Sequence, residues 1–178
     1  DLMKEFYEMQ GEYFRTRYKI HNSIETSNIT ICLIRNVHLS ILRQRERNLD
    51  YDVSLNNFLF NLKNIELPTE KIVSVVKTTG IPKETVRRKL KHLIEKEIIF
   101  LKKDKEYYWN LTPKRQDLFI KIMENDIKII TKFVYAITKI LNLNLTEKII
   151  KEEIKLQFSF YFYHFLNCQL SWLKMWQT

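Results

Sequence analysis

Gly80 and Pro82, in the stretch KTTGIPKE, constrain this chain more than any other pair of residues. Segments of helical period lie on both sides of them. Glycine tolerates the positive φ of a sharp turn, and proline pre-sets φ for a first helical turn, so helix, tight turn, helix is the expected local structure. The 178 residues include only 2 glycines and 3 prolines, too few for glycine-rich phosphate loops or a many-turned β fold. The turn therefore stands against a mainly helical background. A hydrophobic fraction of 45% can supply the core of one domain, or of one compact module wrapped by helical extensions.

Periodicity divides the rest. Phe6, Met9 and Tyr13 predict a helix over residues 2–20, and Asn22 or Ser23 can cap a second, apolar through Ile24, Ile31, Ile34, Leu39 and Leu42. The charged run RQRERNLD, residues 43–50, is the expected hinge. Three short helical segments follow, SLNNFLFNL, TEKIVSVVK and PKETVRRKLKHLIEKE, broken at LPT and TTGIP. IIFLK and YYWNLT, separated by the polar KDKE, form the one clear β signal and predict a two-stranded hairpin. A long helix from Pro113 to about Leu141 carries Leu118, Ile122, Ile129, Phe133, Ile137 and Ile140 or Leu141 in the helical period and should bury them, and a last one should run from Thr146 to about Trp176. The implied organisation is N-terminal body and dimerisation helices over 1–50, a reading module over 51–115, and C-terminal dimerisation helices over 116–178.

Three helices followed by a hairpin is the order of a winged helix-turn-helix, whose last helix enters the DNA major groove while the hairpin touches backbone or minor groove. At about 100° per residue, Val86, Leu90, Leu93 and Ile94 fall on one face of that helix. Glu84, Thr85, Arg88, Lys91 and His92 lie opposite, with Lys83 and Arg87 on the flanks. Guanidinium forks, ammonium groups and a hydroxyl at a helix N-terminus suit guanine edges and phosphates, and Arg87 and Arg88 are the foremost expected contacts. Lys102, Lys103 and Lys105 at the hairpin tip can neutralise phosphates. Charge agrees: residues 68–115 carry 13 Lys and Arg against 6 Asp and Glu, whereas the remainder carries 17 against 15, so most of the net +9 is local to the module. An ordinary amphipathic helix with a solvated charged face is the plainer alternative.

The string LPTEKIVSVVKTTGIPKETVRRKLKHLIEKEII resembles the positioning helix, turn and recognition helix of the MarR family of bacterial regulators, and LTPKRQDLF is similar to the passage from that family's wing into its long fifth helix. The resemblance spans about residues 51–120. It implies that Lys83, Glu84, Thr85, Arg87 and Arg88 face bases or phosphates, that the wing around Lys103 reaches the neighbouring groove, and that the terminal helices dimerise. Its wing is shorter than the family's, and Pro82 stands where a capping serine is usual.

Taken alone, the flanking helices, above all FSFYFYHFLNCQLSWLKMW, hold more apolar surface than a three-helix module can cover. A two-fold dimer would bury it and place two recognition helices about 34 Å apart on a palindromic site. Residues 158–173 contain no Lys, Arg, Asp or Glu, but Ser159, His164, Asn167, Gln169 and Ser171 interrupt them, so no membrane span is expected. With no signal-like start and with Cys32 and Cys168 far apart in sequence, a cytoplasmic protein is expected. Both cysteines read as inert buried thiols, with redox sensing the alternative. His164 and Cys168 share a helical face but lack a third ligand, so no metal and no cofactor are expected. No nucleophile elbow or phosphate loop is present, and an enzyme is not expected. The expected partners are double-stranded DNA, a second copy of the chain, and an unidentified small-molecule effector in an aromatic pocket between helical body and module. A winged-helix scaffold binding protein and a replication-initiator-like DNA binder are the rival functions.

Overall fold

The computed structural model describes residues 1–63 and 65–176. Among these the chain is mainly helical, with eight α-helices and one small antiparallel sheet. α1 (Leu2–His21) ends where Asn22 turns to φ 51, and the Ser23 side chain then accepts from the Thr26 amide to start α2 (Ile24–Arg47). Most of the charged run expected to be a hinge is therefore helix. Arg, Gln and Glu are good helix formers, and here their charge marks a solvated helical face instead of a break. The connection to α3 (Leu55–Asn61) occupies only residues 48–54.

Next come β1 (Glu70–Lys71), α4 (Ile72–Thr79), α5 (Lys83–Glu95), β2 (Ile99–Leu101) and β3 (Glu106–Trp109). The sheet has three strands in the order β1-β3-β2, not two. Glu70 and Lys71, expected to be helical, pair with Tyr107 and Glu106. The reason lies outside the segment: Thr69 donates to the Glu106 carboxylate, and Asn36 Nδ2 donates to Glu70 Oε1 at 2.7 Å, tying the strand to α2. Gly80 adopts φ 75 as the C-cap of α4. Pro82, at φ −56 and ψ 142, is the N-cap of α5 instead of its first helical residue.

α6 (Pro113–Ile140) buries Phe119, Met123, Asp126, Ile127, Ile129 and Ile130. That face is shifted from the expected one: Leu118 is exposed, and Ile122, Phe133 and Ile137 are half-buried. The expected last helix is two, α7 (Glu147–Leu156) and α8 (Phe158–Met175), broken at Gln157 with φ −105 and ψ 35. Beyond the break the Ser159 amide donates to Val53 O at 3.0 Å, and Phe158 and Phe162 turn inward against His38.

α2 is the central helix, with twelve buried residues. α8 lies antiparallel along it, so that Arg35 donates to Asn167 Oδ1 at 3.1 Å while His38 meets Phe162 and Phe158. α1 runs antiparallel to α6: Phe6 is beside Phe133, Glu8 pairs with Lys132 at 3.6 Å, Asn125 donates to Thr16 Oγ1, and Arg17 pairs with Asp126. The terminal helices thus cover one another and α2 within a single chain, and one core joins α2 to Phe58, Val75, Val86, Leu90, Leu93, Ile99 and Trp109. Much of the apolar surface expected to need a second copy is buried internally. Ile140, Leu141, Leu143 and Ile149, around the α6–α7 corner, remain exposed. Among the described residues, no helix is long and apolar enough to cross a membrane.

Candidate functional site

α5 divides cleanly into two sides. Val86, Leu90 and Leu93 have no solvent exposure, and Lys89 is held toward the body by Ser23 Oγ at 2.9 Å and Glu25 at 3.5 Å. Lys83, Glu84, Arg87, Arg88 and Lys91 are exposed, and Thr85 is half-buried at the margin. The heptad-like spacing of the valine and leucines fixes which side is outward, because rotating the helix would expose three large apolar groups. Arg87 Nη1 pairs with Glu84 at 2.9 Å, while Arg88 makes no ion pair among the described residues. The turn that sets this helix is held by Gly80 N–H donating to Val76 O at 2.8 Å and by Thr79 Oγ1 accepting from the Ile81 amide at 3.3 Å.

The hairpin follows directly. Its tip closes with the Lys102 amide donating to Glu106 O at 2.8 Å and the Lys105 amide donating to Lys102 O at 3.1 Å, with Lys105 at φ 62. Lys102, Lys103 and Lys105 are exposed, and Lys102 Nζ lies 5.9 Å from the Tyr108 ring centre. The outward side of α5 and this tip form two cationic surfaces; six residues, Lys96 to Leu101, separate the end of α5 from the tip, and β2 pairs with β3 beneath it.

A second feature was not anticipated in its chemistry. A cavity of about 780 Å³, counting its open mouth, lies between the helical body and the base of the hairpin. Its walls come from α1, α2, α6 and α8 on one side and from Ile98, Trp109 and Leu111 on the other. Half-buried His21 and Arg115 and exposed Leu118 mark the mouth; fully buried Tyr13 and His38, with Phe162, mark the floor. Arg17 sits over the Tyr13 ring at 3.8 Å and pairs with Asp126 through both guanidinium nitrogens. Burial opposes charge on Arg17, but Asp126 and Tyr13 outweigh it and hold the guanidinium protonated more firmly than usual. At the mouth, burial and the charges of Arg115, Arg17 and Lys96 push His21 down to about 4.

His38 stacks on Phe58 at 4.6 Å, with Phe158 and Phe162 around it, and among the described residues neither ring nitrogen has a hydrogen-bond partner. Burial pushes its pKa from 6.5 down to about 3. The unfolded chain then binds a proton at acid pH that the folded chain refuses, so stability is full above about 6.5 and falls as the pH drops toward 3. By pH 4.5 this residue alone should cost about 3 kcal/mol, and His21 acts in the same direction. His38→Phe keeps the ring stacking and is expected to flatten the slope of urea-unfolding stability between pH 7 and 4.5. An unchanged slope would mean that the imidazole titrates normally.

Cys32 is buried, and burial pushes its thiol up to about 11, which disfavours the reactive thiolate; Cys168 is exposed, contrary to the expectation for it. His164 packs edge-on to Phe160 at 4.7 Å. Among the described residues no three His, Cys, Asp or Glu side chains gather as a metal site. No family model, no curated protein and no solved structure matches the chain.

Proposed function

We propose that this chain is a sequence-specific, double-stranded-DNA-binding transcription regulator of the winged helix-turn-helix type, similar to the MarR regulators, acting in the cytoplasm as a homodimer. α5 would lie in the major groove with Arg87, Arg88 and Lys91 toward bases and phosphates, and the Lys102–Lys105 tip would rest on backbone or minor groove. The observation that carries this reading is the outward row Lys83, Arg87, Arg88 and Lys91 on a helix whose other side is sealed into the core, followed at once by a lysine-tipped hairpin. The element order from α3 to β3 supports the module, and the exposed apolar corner of α6 and α7 offers a face for the second copy.

Binding of the full chain to random duplex, measured at several salt concentrations, tests this. Neutralising about six phosphates should give a log–log salt slope near −5, and sedimentation of the complex with a selected site should show two chains per duplex. Absent or salt-independent duplex binding would overturn the reading. One chain per selected site would remove the dimer alone.

A further inference from the structure

We propose that Asn36 is the positioning residue of the hairpin: by bridging Arg35 of α2 to Glu70 of β1 it seats the lysine-tipped end of the sheet against the helical body and holds the tip at one place relative to α5. The seating stands on the hydrogen bonds described next; its use in bringing Lys103 to a phosphate rests on the DNA-binding reading above.

The two ends of the hairpin are held differently. At the base Ile99 pairs with Trp109, and both are buried in the core. Farther out Leu101 pairs with Tyr107; Leu101 is exposed and Tyr107 half-buried, so burial secures this end much less. A two-stranded ribbon by itself is marginal in water. What this end gains is β1, whose Glu70 pairs with Tyr107 on the side of β3 away from Leu101. β1 has only two residues, too short a ladder to hold itself in place.

Its fixed point is Asn36, 7% exposed and part of the central helix α2. Asn36 Oδ1 accepts from Arg35 Nε at 3.1 Å and from Arg35 Nη2 at 2.8 Å, while Asn36 Nδ2 donates to Glu70 Oε1 at 2.7 Å. Arg35 Nη1 continues the network to Asn167 Oδ1 of α8 at 3.1 Å, and Thr69 donates to Glu106 of β3. One neutral amide thus has a cation at its acceptor end and a carboxylate at its donor end. Both bonds are charge-assisted, and the amide cannot turn over without setting donor against donor and oxygen against carboxylate. From body to tip the path runs through Asn36, Glu70, Tyr107 and Leu101, with Lys102 next in the chain. Val86, Leu90 and Leu93 already fix the roll of α5, so what the network sets is the place of the tip.

Asn36→Asp discriminates: it is nearly isosteric and still accepts from Arg35, but it removes the donor to Glu70 and sets two carboxylates face to face. Native-state hydrogen exchange of the full chain, without DNA, should show the Lys102 and Lys105 amides, both bonded at the tip, exchanging about tenfold faster or more, while amides of α2 and α5 keep parental rates. Asn36→Ala, which adds no charge, should act in the same direction. Combining Asn36→Asp with Glu70→Gln supplies an amide that donates to the new carboxylate and restores the parental net charge, so exchange at the tip should return toward parental rates. With random duplex, Lys103→Ala should lower the salt slope by about 1 in the parent and in the combined variant, and by much less in Asn36→Asp. Exchange that rises equally throughout the chain, stays parental in both single variants, or does not recover in the combined variant overturns the seating role. An undiminished Lys103→Ala effect in folded Asn36→Asp overturns its use on DNA. If the parent binds no duplex, the DNA-binding reading falls, and the exchange rates still decide whether Asn36 seats the hairpin.

Discussion

Asp126→Ala is expected to destabilise the chain by roughly 3–5 kcal/mol, the usual cost of breaking a buried ion pair by removing one partner. Asp126 is fully buried, and it grips both guanidinium nitrogens of Arg17, itself only 7% exposed. Removing the carboxylate leaves a cation that cannot readily lose its proton and has no water around it. Domains of this size are commonly stable by only about 5–15 kcal/mol, so the loss should be visible as a large fall in the urea midpoint. Replacing both partners, Arg17→Met with Asp126→Leu, should cost much less than the single change, because apolar groups of similar volume require no compensation. The comparison separates charge from packing. A loss below about 1 kcal/mol in Asp126→Ala would mean that α1 and α6 are held by Phe6, Phe133 and their neighbours without help from the pair.

The contrast between that pair and the α5 surface shows what the sequence made legible. Val86, Leu90 and Leu93 lie within eight residues of one another, so helical geometry alone places them on the inner side and sends Arg87 and Arg88 outward. Gly80 and the lysines at 102–105 are equally local, and their turn and tip were readable for the same reason. β1 was not, because a two-residue strand has no period and exists only through Tyr107 and Glu106, more than thirty residues on. The Gln157 break likewise answers to Val53 and His38, far away in sequence. Arg17 and Asp126 are 109 positions apart, and no spacing rule joins them. A pocket was expected between body and module, but its composition was not: the scattered histidines carried no signal until α2 and α8 packed together around His38.

Arg88→Ala is expected to lose about 1–3 kcal/mol, or roughly tenfold to a hundredfold, at a specific duplex while changing affinity for random duplex far less. The specific duplex is obtained by selecting random sequences against the full chain, and affinity is read by fluorescence anisotropy. Arg88 projects from α5 with no competing ion pair among the described residues, so its guanidinium is available to a guanine edge. Arg87 differs, since it must first leave Glu84. Both partners are more than half exposed, so that pair holds it weakly, and Arg87→Ala should show a loss of the same sign but smaller. Lys103→Ala, at the hairpin tip, is expected to weaken specific and random duplexes alike and to reduce the salt slope by about 1, as one lost phosphate contact would. None of these side chains packs in the core, so the variants should unfold at the same denaturant concentration as the parent, which makes affinity the sole readout. If Arg88→Ala and Lys103→Ala both bind with parental affinity and parental salt dependence, α5 and its hairpin do not meet DNA, and the cationic surface serves another partner.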